Sequence, residues 1–213
     1  MVSPLLALHT ADWRLRVFEL YARVREAAAD SPPAAHRIWR EGRDRLFADH
    51  PASPLSPAAR ADFGGLAVAP YDPWLRVQAV PDDDGAGQVR EVPTGTDGTV
   101  RFERLGTVAA DGVGRLALWR LASYGGGLFL PLHDGTSGRP AAEGGSYGGG
   151  RYLLDTIKGA FLGAGAREGS LILDFNFLYN PSCAYDPAWA CPLPGPENRV
   201  PAPVTAGELA AGY

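Results

Sequence analysis

Residues 101–121 of this chain read RFERLGTVAADGVGRLALWRL, and this stretch decides the fold. Two segments rich in aliphatic and aromatic residues flank Asp111-Gly112, a dipeptide that is typical of tight hairpin turns. The pattern predicts two antiparallel strands, over 101–109 and 115–121. Shorter segments of the same character predict further strands at 65–68, 75–80, 88–92, 128–132, 152–155 and 170–177.

Turn signals separate these predicted strands, among them Asp84-Gly85, Asp97-Gly98 and the glycines at 125–127. The chain holds 27 Gly and 19 Pro residues, which favours a turn-rich β fold over a helical bundle. We expect a mainly antiparallel β-barrel or roll, because regular short strands with Gly-rich turns are typical of such sheets. A split barrel resembling flavin-binding proteins is the alternative, although no basic cluster suited to a flavin phosphate accompanies it.

The beginning of the chain has a helical character. Within residues 11–29 apolar side chains recur at three- and four-residue steps, and Thr10 or Asp12 can cap the start of this helix. Pro32 ends it, because proline cannot continue the hydrogen-bond ladder. A second helix is predicted over 34–48.

The chain as a whole is predicted to have an α+β fold, with an N-terminal helical segment in residues 1–50 and a β-rich domain in residues 51–213. A length of 213 residues with 46% hydrophobic residues is sufficient for a sizeable core. The formal net charge of −4 gives no general attraction to nucleic acid or to an anionic membrane. No apolar run is long enough to span a bilayer and no secretory signal is visible, so we expect a soluble, cytoplasmic protein.

Polar and aromatic side chains crowd into the last third of the chain at a density that folding alone rarely requires. The loop GGSYGGGR at 144–151 could cradle an anion with its backbone N–H groups, with Arg151 as a clamp. It lacks the Gly-Lys-Ser/Thr of a P-loop and leads into a predicted strand, where a dinucleotide-binding loop would lead into a helix. A tightly turned structural loop is an equally good interpretation.

The sequence Asp134-Gly135-Thr136 follows a predicted strand and favours a local turn in which the polar side chains bond to nearby backbone. His133 and Ser137 beside it would suit a hydrolase triad, but no Gly-x-Ser-x-Gly nucleophile elbow accompanies them. The turn is therefore the favoured interpretation.

Asp174-Phe175-Asn176 ends the most apolar of the predicted strands. Alternation along a strand would place Asp174 and Asn176 on one face. A carboxylate at this position is either paired with a buried partner or held for chemistry, and Arg151 is the obvious partner. A structural Asp174–Arg151 pair is at least as good an interpretation as a general base.

Cys183 and Cys191 are the only cysteines of the chain. In a reducing cytosol the default is two free thiols, although a disulfide or a Cys–His nucleophile pair with His133 or His50 stays open. A zinc site would need two further ligands, and the four histidines show no ligand spacing.

The proline-rich segment CPLPGPEN at 191–198 has an extended, rigid character. It could serve as a ligand for an SH3-type domain. Its closeness to the Asp174 strand favours a segment that wraps the mouth of the barrel, with Glu197 and Asn198 as wall residues.

These motifs resemble the bacterial family catalogued as domain of unknown function 1684, and the resemblance covers most of the chain. The family implies a fold and no established activity. Two segments, 139–146 and 156–169, are longer than the family pattern implies, and we hypothesise that they reshape a ligand pocket for a specialised substrate. The strongest parts of the resemblance are Phe129-Leu130-Pro131, Thr136-Ser137-Gly138, Gly150-Arg151-Tyr152, Asp174-Phe175-Asn176, Tyr179-Asn180-Pro181, Cys183-Ala184-Tyr185, Cys191-Pro192-Leu193-Pro194 and Glu197-Asn198.

We expect a metal-independent enzyme that acts on a small polar or anionic metabolite by acid–base chemistry, as a hydrolase or a lyase/isomerase. Arg151 would hold an anionic group, and Asp174 would act as general acid or base. Asn176, Asn180 and Tyr152 would orient the substrate or stabilise developing negative charge. Further substrate-binding side chains are expected from Asp134, Thr136, Tyr147, Tyr179, Cys183, Tyr185, Glu197 and Asn198.

Two other functions stay open. The same polar cluster could belong to a non-catalytic module that binds a small molecule or a partner protein. Thiol chemistry through the two cysteines is the third, weaker hypothesis. The sequence indicates no cofactor and no metal, and it indicates neither nucleic acid nor a membrane as a partner.

Overall fold

The computed structural model of the chain describes residues 3–94, 98–187, 189 and 191–211. Within these residues two long helices precede seven strands, which form a five-stranded and a two-stranded antiparallel sheet. The fold is α+β, as the sequence predicts, and the larger sheet is not closed into a barrel. The predicted turn at Asp97-Gly98 lies partly outside the described residues.

Helix α1 spans Pro4–Asp30 and begins earlier than the periodicity predicts. The hydroxyl of Ser3 accepts a hydrogen bond from the backbone N–H of Leu6, and proline occupies the first turn, where its missing N–H has no intrahelical partner to lose. Thr10 and Asp12 lie inside the helix, so their predicted role as caps is wrong.

Helix α2 spans Pro32–Asp49, and Ser31 both ends α1 and begins α2. The backbone N–H of Ser31 donates to Ala27 O at 2.9 Å, and its hydroxyl accepts from Ala34 N at 3.4 Å. The proline pair therefore opens the second helix as well as closing the first. A short helix, α3 (Pro57–Ala61), follows in the proline-rich linker.

The hairpin predicted around Asp111-Gly112 is confirmed, with Gly112 in the left-handed region at φ 75°. It is the centre of an antiparallel meander that runs from β2 to β6 in chain order. The strands of the chain are β1 (Arg76–Ala79), β2 (Val89–Thr94), β3 (Gly98–Ala110), β4 (Gly114–Leu121), β5 (Leu128–Leu132), β6 (Arg151–Asp155) and β7 (Leu171–Asp174).

The smaller sheet differs most from the prediction. Strands β1 and β7 pair with each other and with no strand of the larger sheet in the described residues, and Arg76 lies directly opposite Asp174. The strand predicted over 170–177 ends at Asp174, because residues Phe175–Phe177 form a 3-10 turn. The predicted strand at 65–68 is wrong, since Val68 forms a single bridge to Glu208.

Two apolar cores lie on opposite sides of the larger sheet. On one side Trp39 and Leu20 of the helices pack in one cluster with Trp119. On the other side Leu118 packs in a cluster with Leu173, because neighbouring residues of a strand point to opposite faces. The helices and the larger sheet therefore bury their apolar faces together, and none of the described helices is long and apolar enough to cross a bilayer.

Residues 199–211, which we call the C-terminal tail, contain little regular structure yet run through the interior. Val200 N donates to His133 O, Glu208 N to Leu178 O, and Ala210 N to Gly145 O, at 2.8–2.9 Å. These bonds connect the tail to the end of β5, to the turn after β7 and to the Gly-rich loop.

Candidate functional site

Arg151, the predicted anion clamp, begins β6 and has no exposed surface. Its Nη2 lies 2.7 Å from Asp134 Oδ2 and donates to Val204 O at 2.9 Å. Its Nη1 donates to the carbonyl oxygens of Ala206 and Glu208. The guanidinium is thus bound to one carboxylate and to the backbone of the C-terminal tail.

Asp134 forms the local turn that the sequence favours. Its Oδ1 accepts from the backbone N–H and the hydroxyl of Thr136, at 2.8 and 2.6 Å, and from Val204 N at 3.1 Å. Burial alone would raise the pKa of Asp134, but the Arg151 charge and the Thr136 hydrogen bonds outweigh it and lower this pKa. The hydroxyls of Thr136 and Ser146 lie 2.9 Å apart, so the Gly-rich loop is packed against this turn.

Asp174 is fully buried, but its partner is not the one expected from the sequence. Its Oδ2 lies 2.8 Å from Arg76 Nη1 and accepts from the hydroxyl of Tyr71 at 3.2 Å. The predicted Asp174–Arg151 pair is therefore wrong: β1 and β7 place Arg76 opposite Asp174, whereas Arg151 reaches Asp134.

Asn176 completes the network around Asp174. Its Nδ2 donates to Asp174 Oδ1 at 2.8 Å and to Asp72 O at 2.8 Å, and its Oδ1 accepts from Asp72 N at 2.7 Å. Both side chains have no exposed surface. In this geometry they fix the chain before β1 to the turn after β7.

The variant Asp174→Asn is expected to lower the free energy of unfolding by about 1–3 kcal/mol. The amide keeps the shape of the carboxylate but removes the charge opposite Arg76. Urea denaturation at pH 7 measures the loss. Asp84→Asn is the matched control, because that carboxylate is 64% exposed and its removal should leave no measurable change. A variant as stable as the wild type would contradict the structural role.

The polar side chains that remain near a cavity lie between α1, α2 and the loop segments 158–160 and 179–185. This cavity, which we call the hairpin cavity, has a volume of about 60 Å³. That is enough for a few water molecules, since each needs roughly 10–15 Å³ on the same measure. The polar part of its wall is contributed by Tyr21, Arg43, Lys158, Tyr179, Asn180, Ser182 and Tyr185.

Arg43 is the central cation of the hairpin cavity. It lies on α2 between Trp39 and Phe47, and its guanidinium is 5.0–5.3 Å from the ring centroids of these two residues and of Tyr179. Its Nη2 lies 2.7 Å from Glu208 Oε2. The ring contacts and the ion pair together offset the cost of burying this charge.

Glu208 joins the C-terminal tail to this cation. Its carboxylate accepts hydrogen bonds from Asn180 N, at 2.9 Å, and from the hydroxyl of Tyr185. Burial raises the pKa of Glu208, although the Arg43 charge opposes the shift. Asn180 Nδ2 donates to Leu209 O at 2.8 Å, which fixes the orientation of its amide.

Two polar atoms in this wall are not satisfied. Arg43 Nε and Asn180 Oδ1 are both buried, and neither has a hydrogen-bond partner among the described residues. Buried polar groups are normally paired, so these two atoms leave room for a hydrogen bond with water, an ion or a ligand in the cavity. Four other described atoms are unpaired in the same way, on His36, Arg60, Arg151 and Glu197, and none of these residues lines the cavity.

Tyr152, predicted to orient the substrate or stabilise charge, and Tyr179, predicted to bind the substrate, are held by neighbouring groups of the protein. Tyr152 donates to Pro192 O at 2.8 Å, and Tyr179 donates to Asp155 Oδ2 at 3.3 Å. Burial raises the pKa of both hydroxyls well above the ordinary value. Lys158 Nζ lies 5.9 Å from the Tyr152 ring centroid, which brings a second cation to the edge of the hairpin cavity.

The remaining predicted site residues are not among the described residues that line the hairpin cavity. Tyr147 Oη is 3.7 Å from Cys183 Sγ, and both cysteines are free thiols. Asn198 accepts from Trp119 Nε1 at 3.0 Å and donates to Ala117 O at 2.9 Å, so it ties the proline segment to β4. Neither Asn198 nor the half-buried Glu197 is among the described residues that line the hairpin cavity.

Two larger grooves, of about 430 and 720 Å³, are more open to solvent. No residue that lines them carries one of the buried, unpartnered polar atoms found in the described part of the chain. We therefore place the candidate site in the smaller hairpin cavity. Of the two long segments, 156–169 contributes Lys158 and Ala160 to the wall of the hairpin cavity. No residue of segment 139–146 is among the described residues that line it.

The structure thus brings Tyr179, Asn180 and Tyr185 together and leaves Arg151, Asp174 and their networks elsewhere. The residues that sequence reasoning missed are Arg43 and Glu208. The sequence held a signal for Arg43, because this charged residue lies four residues from both Trp39 and Phe47 and so shares their apolar face of α2. Within the described residues no group of three His, Cys, Asp or Glu side chains is suited to hold a metal.

A family model described as "Protein of unknown function (DUF1684)" matches residues 61–209. The chain is also similar to the solution NMR structure of an uncharacterised protein from Haloarcula marismortui. The two are 32% identical, the match covers 83% of this chain and 94% of that chain, and the TM-score is 0.56. No curated protein matches the chain. The family match includes Asn180, Tyr185 and Glu208, but it begins after α2 and so does not include Arg43.

Proposed function

The chain belongs to the DUF1684 family of proteins of unknown function, and we propose that it binds a compact anionic small molecule in the hairpin cavity. The observation that carries the proposal is the pair of unsatisfied buried atoms, Arg43 Nε and Asn180 Oδ1, on two residues that line this cavity. An unsatisfied buried polar group costs about 1–3 kcal/mol. A ligand that forms hydrogen bonds with both Arg43 Nε and Asn180 Oδ1 would recover that cost on binding.

The chemistry of the wall restricts the ligand. Arg43 and Lys158 favour a negative charge, and Asn180 Oδ1 requires a hydrogen-bond donor. Trp13 and Phe47 supply an apolar side. A small carboxylate that also carries a hydroxyl or amino group meets all three conditions, and the volume of about 60 Å³ favours a molecule of few heavy atoms.

The contacts of Asp174 and Arg151 favour binding over the acid–base mechanism expected from the sequence. The Asp174 carboxylate is buried among Arg76, Tyr71 and Asn176. Arg151 is equally buried and bonds to the tail. A general base must lie within hydrogen-bond reach of its substrate, and neither residue lines the hairpin cavity in the described structure.

An acid–base enzyme remains the second candidate through a different pair. Tyr185 lines the hairpin cavity, and its hydroxyl donates to the buried Glu208 carboxylate. A carboxylate whose pKa is raised by burial holds a proton closer to neutral pH, which suits proton transfer. Tyr185 would then exchange a proton with the ligand while Glu208 supports it.

The test of binding is a thermal-shift titration with glycolate, lactate, glycine and acetate as probes. We expect the hydroxy- or amino-carboxylates to raise the melting temperature of the wild type more than acetate does. Lys158→Gln should weaken the affinity about 3–10-fold, because one partly screened charge contributes about 1 kcal/mol. Arg120→Gln, on β4 and outside the cavity, is the matched control. Equal shifts for all four probes, or equal affinities in Lys158→Gln and wild type, would overturn the proposal.

The same samples separate binding from catalysis. Proton NMR of protein with a bound probe, followed over a day, shows whether the probe is converted. An unchanged probe supports the binding function. Conversion that is lost in Tyr185→Phe supports the enzyme, since this variant keeps the ring that packs on Phe47 at 4.9 Å and removes only the hydroxyl.

A further inference from the structure

Helix α1 carries a second apolar face, which points away from the core. Leu20 and Val24 are buried on the face that packs in one cluster with α2 and the larger sheet. Further apolar side chains recur at alternating three- and four-residue steps on the nearly opposite face, since each residue turns the helix by about 100°. All of these are exposed, and we call them the outer stripe: Leu8, Ala11, Leu15, Phe18 and Ala22.

The outer stripe has the spacing of a coiled-coil seam. Leu8 is 67% exposed, Leu15 56% and Phe18 44%. Single exposed apolar side chains are normal, but a continuous stripe is typical of a surface that contacts a partner. Its alternating steps are those of the two apolar positions in a heptad, over two heptads or about 22 Å of helix. The next position of the pattern is Arg25, whose side chain donates to Phe161 O, so the stripe ends there.

The charges beside the outer stripe indicate which helix fits it. Asp12, Glu19 and Glu26 follow one flank at seven-residue intervals, and Arg14 lies on the other flank. In a parallel pair of identical helices, a residue on the second flank lies opposite the residue five positions later on the first flank of the other helix. Arg14 of each copy would therefore meet Glu19 of the other. In an antiparallel pair the two acidic flanks would face each other, which is unfavourable.

We propose that α1 forms a parallel, twofold-symmetric coiled coil with α1 of a second copy of this chain through the outer stripe. The core of each copy then lies on the side of its helix that faces away from the contact, so a closed dimer results. No residue of the stripe is among the described residues that line the hairpin cavity, so dimerisation is independent of the proposed ligand.

The size of the outer stripe sets the expected affinity. Two heptads that include two alanines bury less than the roughly 1,600 Å² of a standard protein interface. We therefore expect a dimer that dissociates on dilution in the micromolar range, and not an obligate one.

The first test is sedimentation velocity of the whole chain at pH 7. The average mass should rise towards that of a dimer between about 1 and 300 µM. Leu15→Gln should weaken the association at least about 10-fold, because each dimer loses two buried leucines. Leu105→Gln is the matched control, since Leu105 is 38% exposed on β3 and lies outside the stripe. A wild type that stays monomeric over this range, or a dimer that Leu15→Gln leaves unchanged, would overturn the proposal.

Exchange of the flanking charges tests the orientation. Arg14→Glu and Glu19→Arg each place like charges opposite one another and should weaken a parallel dimer about 3–10-fold at low salt. The double variant restores opposite charges and should recover the wild-type affinity. Both residues are exposed, so the melting temperature of each variant should stay that of the wild type. Tighter association of Glu19→Arg alone would indicate an antiparallel pair, and a double variant as weak as the single ones would contradict the Arg14–Glu19 contact.

A lipid surface is the other occupant to be distinguished, because an exposed apolar helix face can also lie on a membrane. Vesicles of equal parts phosphatidylcholine and phosphatidylglycerol are sedimented with the wild type. We expect the protein to stay in the supernatant, since the acidic flank disfavours an anionic surface. Sedimentation with the vesicles that Leu15→Gln abolishes would assign the outer stripe to lipid and would reject the dimer.

Discussion

Replacing Arg151 with Met is expected to lower the free energy of unfolding by about 3–5 kcal/mol, which is the usual cost of removing one partner of a buried ion pair. The variant leaves the Asp134 carboxylate without its charge partner in an environment with no exposed surface. It also leaves the carbonyl oxygens of Val204 and Ala206 without their donor. The loss is measured by urea denaturation at pH 7.

Arg120→Met is the matched control, because the Arg120–Glu103 pair is 48% and 34% exposed and should contribute nothing measurable. Hydrogen exchange adds a local readout: amides of the C-terminal tail should lose protection in Arg151→Met before those of β3 do. Equal stabilities of the two variants would show that the buried pair does not hold the tail.

The loss of unfolding free energy in Arg151→Met should depend on pH in a defined direction. The pKa of Asp134 is below its ordinary value of 3.8 in the folded state, so its ion pair stabilises the protein above that pH. This contribution disappears as the pH falls through the folded-state pKa. The difference in stability between wild type and Arg151→Met should therefore narrow below about pH 4. If the difference in stability between wild type and Arg151→Met stayed constant until acid unfolds the protein, the loss would be due to packing and not to the ion pair.

Replacing Trp39 with Ala is expected to cost about 3–5 kcal/mol, as for other large aromatic residues removed from a core. Trp39 has no exposed surface, donates to Tyr21 Oη at 3.1 Å and packs on Phe177 with ring centroids 5.4 Å apart. Arg43 also lies over its ring. The melting temperature should fall by roughly 10 °C in a chain of this length.

Trp74→Ala removes the same side chain from a position that is 87% exposed and should change stability by less than about 0.5 kcal/mol. If the helices docked on the sheet without forming a common core, Trp39→Ala would melt α1 and α2 and leave the sheet protected. Hydrogen exchange distinguishes the cases, and a common core requires that β4 and β5 lose protection as well.

The β3–β4 hairpin could be predicted because all its determinants are local: apolar strands on either side of Asp111-Gly112. The start of α1 could not be predicted from apolar periodicity, because its cap, Ser3, precedes a run of leucines on the exposed side of the helix, where Leu5 and Leu8 are 62% and 67% exposed. Local sequence signals therefore predict whether a segment is a helix or a strand more reliably than they predict where it begins and ends.

The charge partners could not be predicted from spacing. Arg76 and Asp174 are separated by 98 residues and meet because two four-residue strands pair in one register. Neither strand carries a pattern that selects this register over others. The prominence of Arg151 in a Gly-rich motif suggested the wrong partner for Asp174, although its own partner, Asp134, lies only 17 residues away.

The candidate site depends on the same kind of long-range contact. Tyr179, Asn180 and Tyr185 could be predicted as site residues from their density in one segment. The pairing of Arg43 with Glu208 could not, because their hydrogen bond joins residues 165 apart. The one local signal was the position of Arg43 between Trp39 and Phe47, four residues from each on the same face of α2.

The path of the C-terminal tail has a consequence for biosynthesis. Translation delivers Arg43 first, Arg151 much later and residues 204–208 later still, yet Arg43 depends on the tail for its carboxylate partner and Arg151 for three backbone carbonyl oxygens. While the tail is inside the ribosome, a compact intermediate would have to bury two cations without these oxygen atoms, which is energetically unfavourable. The helices and the meander can form as the chain emerges, but the interior closes only after Glu208 has left the exit tunnel.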